Sequence, residues 1–141
     1  MIVQRGLTEA AAIPRVTEAL RGTEVLLYSA PSGRPDTARA YAEAALLAGV
    51  AFVYTTADPI ARDLSLLTRF EEAGLPLMGD GLASRFGASV VHKRLKVHDP
   101  SGAAGVNIDL IRTAVTALRS GRGGYPAEAT RHLKSPPGTP A

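Results

Sequence analysis

Three short polar clusters hold most of the residues able to do chemistry in this sequence. They run from Ser29 to Gly33, from Tyr54 to Asp58 and from Gly79 to Ser84. Together they supply Ser29, Ser32, Gly33, Thr55, Thr56, Asp58, Asp80 and Ser84. Gly33 comes just before a helix start, where backbone amides lacking an intrahelical partner can hold a phosphate. The same residue types are also ordinary turn and cap residues. Their position relative to the surrounding elements therefore matters more than their identity.

Other chemistries leave little trace. The chain has no cysteine, which excludes disulfides, thiolate metal ligands and cysteine nucleophiles. His92, His98 and His132 are the only histidines, and none shares a metal-ligand spacing with another, so no metal site is expected. No G-x-G-x-x-G lies between a strand and a helix, and there is no Walker-type loop or nucleophile elbow. Gly121-Arg122-Gly123-Gly124 follows a helix and reads as its stop. Lys134 stands out for its setting, a proline-stiffened Leu133-Lys134-Ser135-Pro136-Pro137, although residue physics alone makes it a solvated tail lysine.

The elements that must position the clusters are short and alternate. Thr23 to Ser29 reads as a strand, and Asp36 to Ala48 as a helix that Gly49 stops. Val50 to Thr55 is an apolar run suited to a buried parallel strand. Asp58-Pro59 reads as N-cap and first position of a helix running to about Ala73. Leu75 to Met78 is a third strand. Such alternation predicts a parallel sheet with helical crossovers, and each polar cluster then follows the carboxyl end of a strand, where open α/β sheets bind ligands. Outside this block, Pro14 to Leu20 is expected as a short helix with Pro14 in its first turn, Leu82 to Leu95 as helical, and Lys96 to His98 as a weak strand. Val106 to Arg119 is expected as an amphipathic helix burying Ile108, Ile111, Val115 and Leu118.

The chain reads as one α/β domain over residues 1–134, with a proline-rich tail over 135–141. Its length of 141 residues suits one modest core, with 45% apolar residues but only three Phe, four Tyr and no Trp. The net charge of +3 is uneven: residues 1–84 carry −3 and residues 85–141 carry +6. These charges are scattered and not interleaved with aromatics, so they read as solvated surface, and no nucleic-acid partner is expected. The N-terminus has no apolar run after a basic start, and no stretch reaches the roughly 18 apolar residues of a membrane span. A cytoplasmic protein without a membrane partner is the expectation.

Read as strings, five segments in order resemble the inositol-3-phosphate synthase family in its actinobacterial and archaeal branch. They are Val3-Gln4-Arg5-Gly6; Tyr41-Ala42 through Val53; Phe70 to Pro76 with Gly79-Asp80, Ser84, Gly87-Ala88 and His92; Asp99 with Ala104-Gly105-Val106 and Ile108-Asp109; and Leu133 to Pro137. The resemblance implies a sheet of three or four strands left from a Rossmann-like NAD-binding domain. It implies NAD as cofactor and a sugar phosphate as ligand, because the family enzyme converts glucose 6-phosphate to inositol 3-phosphate with transient use of NAD. By resemblance Pro31, Gly33, Asp80 and Ser84 line the cofactor cleft, while Asp99 and Lys134 match an active-site carboxylate and lysine.

The sequence also departs from the family pattern. It reads as starting after the Gly-rich NAD loop, and Leu95-Lys96 reads as a jump across the central catalytic and oligomerisation segment. Gly81 and Ala83 replace a carboxylate and a lysine, and Tyr54 stands where the family usually has Asn beside the cofactor. The expectation is a catalytically impaired synthase-like protein that forms a homo-oligomer or docks on a related synthase. The alternative is a non-catalytic module that binds a phosphate-bearing ligand or a protein partner.

Overall fold

The computed structural model describes residues 9–79 and 99–132, with side chains described over 13–79 and 105–129. Helix α1 (Glu9–Ala19) leads into strand β1 (Val25–Tyr28), then helix α2 (Pro35–Ala48) and strand β2 (Ala51–Tyr54). A 3₁₀ turn (Ile60–Arg62) precedes helix α3 (Leu64–Glu72) and strand β3 (Leu77–Met78). Helix α4 (Asp99–Arg119) and a second 3₁₀ turn (Ala127–His132) complete the described elements.

The strands form one parallel sheet in the order β1-β2-β3. Val25 to Tyr28 pair in register with Ala51 to Tyr54, and Phe52 and Val53 with Leu77 and Met78. Strand periodicity of two sends alternate side chains to opposite faces. Leu26, Tyr28, Phe52, Tyr54 and Leu77 pack with α1, α2 and α3, together with Ala38, Ala42, Ala45, Leu66 and Phe70. Val25, Leu27, Ala51, Val53 and Met78 face α4, where they meet Leu110 and Ala114. The α/β class and the small parallel sheet expected from the sequence are thus both present.

Local signals explain the boundaries. Gly49 takes the left-handed conformation (φ 72°), and the Val50 N–H reaches back to the Ala45 carbonyl at 2.9 Å to close α2. Beyond β3 the chain has another strategy. Pro76 bridges in parallel with Gly124, the Leu77 N–H donates to the Gly124 carbonyl at 2.7 Å, and the Gly124 N–H donates to the Leu75 carbonyl at 2.9 Å. This covers the outer edge of β3. Gly123 fits there because a Cβ would lie 2.6 Å from the Glu71 carbonyl oxygen.

Three sequence expectations need correction. First, α1 begins at Glu9, so Pro14 lies inside it and not in its first turn. The Ala-rich stretch upstream has enough helix propensity to carry the helix through the proline. Second, Asp58 and Pro59 do not start a helix: the N-cap of α3 is Asp63, whose Oδ1 accepts from the Leu66 N–H at 3.1 Å. Third, α4 begins at Asp99, and its fully buried stripe is Leu110, Ala114 and Ala117; of the expected stripe, Leu118 packs half-buried against the core, Ile111 and Val115 are half-buried, and Ile108 is 50% exposed. Both stripes have helical spacing. The one with small residues lets the helix backbone approach the sheet closely, and packing chose it. Leu82 to Leu95, Lys96 to His98 and the tail lie outside the described residues.

Candidate functional site at the ends of β1 and β2

The loops that leave β1 and β2 are laced to each other by side chains. The Gly33 N–H donates to Asp58 Oδ1 at 2.9 Å. In return Ser32 Oγ accepts from the Ala57 N–H at 2.9 Å. Thr55 Oγ1 donates to Ser29 Oγ at 3.2 Å. Parallel pairing of Tyr28 with Tyr54 brings these two chain reversals side by side, and the polar residues just beyond the strands therefore meet. Ser29, Ser32 and Gly33 form an exposed rim, whereas Thr56 and Asp58 are buried at 1% and 5% exposure.

Burial at this site is not matched by complete pairing. Among the described residues, Asp58 Oδ2 and Thr56 Oγ1 have no hydrogen-bond partner. A buried polar atom left unpaired costs about 1–3 kcal/mol, and more when it carries charge. Two such atoms, two residues apart in one loop, are therefore a costly arrangement. Below them lies an aromatic row. Tyr28 and Tyr41 have ring centroids 5.1 Å apart, Tyr28 and Phe52 6.0 Å, and Phe52 and Tyr54 5.8 Å. Burial pushes the Tyr28 phenol above its ordinary value, and the neighbouring Asp58 carboxylate pushes it the same way.

Tyr54 closes the floor of the site. Its hydroxyl accepts from the Ala61 N–H at 2.9 Å. Its ring occupies the space a side chain on residue 79 would need, since a Cβ on Gly79 would come within 2.3 Å of the ring. The cleft that a glycine leaves at the end of β3 is filled by this tyrosine. A small recess of about 150 Å³ lies further out between the starts of α2 and α3. It is lined by Asp36, Arg39 and Asp63 among others, and the Arg39 charge there is paired with Asp63.

Of the residues expected to hold ligand, Pro31 and Gly33 lie on the exposed β1–α2 loop. Asp99 is the first residue of α4, and its side chain lies outside the described residues. Asp80, Ser84 and Lys134 also lie outside them. The features that sequence reading missed are the pairing of Asp58 with Gly33 and the plug made by Tyr54. A second aspartate, Asp63, directly before the periodic Leu66 and Phe70, was the available sign that Asp58 is not needed as a cap.

No family model matches the chain. It is 39% identical over 70 residues to inositol-3-phosphate synthase of Mycolicibacterium smegmatis, covering 50% of this chain and 19% of that protein. It is 38% identical over 72 residues to the synthase of Corynebacterium glutamicum, covering 51% and 20%. The solved structure of Ari2 superposes with a TM-score of 0.83 at 37% identity, over 94% of this chain and 64% of that one. The chain is similar over half its length to inositol-3-phosphate synthases. It spans about a fifth of the length of these curated relatives, and it is a partial and divergent match to them. The likeness to Ari2 extends over almost the whole chain and supports the α/β architecture. No helix among the described residues is long and apolar enough to cross a membrane.

Proposed function

We propose that this protein is an inositol-3-phosphate synthase-like protein that retains a ligand site at the strand ends but is catalytically impaired by itself. The family reaction, NAD-dependent conversion of glucose 6-phosphate to inositol 3-phosphate, sets the substrate class. In this reading the ligand is a sugar or cyclitol phosphate. The synthase relatives support the class, and the arrangement of the β1 and β2 loops supports the impairment.

The observation that carries the impairment is the carboxylate on the Gly33 amide. A dinucleotide pyrophosphate needs free N–H donors and tolerates no buried anion beside them. Here the Gly33 N–H is already used, by a carboxylate. At roughly 5 Å and an effective dielectric of about 20, each unit of phosphate charge meets about 3 kcal/mol of repulsion from it. Tyr54 fills the space beside Gly79 as well. These residues do not fit a pyrophosphate cradle. In the same reading Asp80 and Ser84 belong to the cleft, and Asp99 and Lys134 stand at inherited active-site positions. The domain extends over residues 1–134, is Rossmann-like and works in the cytoplasm.

The test is an assay of the purified chain with NAD and glucose 6-phosphate, with calorimetric titration of each. The expected outcome is sugar-phosphate binding, no measurable NAD binding and no inositol phosphate. Reproducible NAD-dependent formation of inositol phosphate would overturn the impairment. Absence of sugar-phosphate binding would overturn the retained site.

A second reading rests on the sheet. Among the described residues β1 pairs only with β2, leaving an uncharged Val25-Leu26-Leu27-Tyr28 edge. Such edges recruit partners. In this reading the chain self-associates or docks on a related synthase, and sedimentation at micromolar concentration should show species larger than a monomer. A monomer at every concentration would remove it.

A further inference from the structure

We draw no further inference here: the strongest candidate, the outer edge of β1 at Val25–Tyr28, which has no strand partner among the described residues, carries nothing beyond the docking surface already described, because nothing in the structure shows what covers it.

Discussion

The two faces of the sheet achieve burial with different side chains. On the side of α1, α2 and α3, the alanines of α2 (Ala38, Ala42 and Ala45) pack with large side chains that do the filling: Tyr28, Phe52, Tyr54, Leu66 and Phe70. On the side of α4 the helix contributes Ala114 and Ala117, with Leu110 as its one large fully buried side chain. Dispersion and apolar burial scale with atoms removed from water, so the aromatic face gains from mass. The α4 face gains from closeness, since alanines let helix and sheet approach. One face is therefore sensitive to deletion and the other to enlargement.

This contrast is breakable at single residues. Phe52→Ala removes the ring that joins Tyr28 to Tyr54. It should cost about 3–5 kcal/mol, measured by urea unfolding. Ala114→Leu adds volume at a fully buried position that faces the sheet. It should cost about 1–3 kcal/mol through overpacking, read as a lower melting temperature. If the enlargement is neutral and the deletion mild, the two faces do not differ in the way described. Asp63→Ala removes the N-cap of α3 and is expected to cost about 1 kcal/mol. Exchanging Arg119, whose charge meets Glu24 at the surface, should change little.

The smallest effect is an alkaline one. The Tyr28 phenol is raised from its ordinary 10.0, first by burial and then by Asp58. Below pH 10 the phenol is neutral in folded and unfolded chains alike. Above it the unfolded chain loses the proton first, so stability falls as pH rises until the folded phenol ionises too. Absorbance titration should show a late tyrosinate that Tyr28→Phe removes. In Asp58→Asn it should titrate earlier, yet still above an exposed tyrosine, since burial remains.

Much of the fold was legible because its signals are local. The apolar run Val50 to Thr55, the Gly49 stop and the alternation of strand and helix all act over a few residues, and the structure follows each of them. The errors occurred where two local readings competed and tertiary packing decided. Asp58 and Asp63 both precede turns and both can cap, but Asp58 is claimed by Gly33 in another loop. The two stripes of α4 have equal periodicity, and only the approach of the sheet separates them. At the site, Pro31 and Gly33 could be placed from sequence, since the loop after β1 had to exist. The link between Asp58 and Gly33 spans 25 residues, and no spacing rule indicates it.

The pairing of Leu77 and Gly124 has a consequence for the order of assembly. The sheet from β1 to β3 joins neighbours in the chain, and each crossover closes a short loop. The segment at Gly124 instead pairs with β3 from beyond α4, which itself packs across all three strands, so it is expected to take its place after both. Contacts of such long sequence separation form late and slow the final step. The Leu77 and Gly124 amides are bonded across this late junction. They should exchange with deuterium together, at the rate at which α4 and its tail lift away. The last seam to close in folding is thus the first to open, and it sits beside β3 and away from the laced loops of β1 and β2.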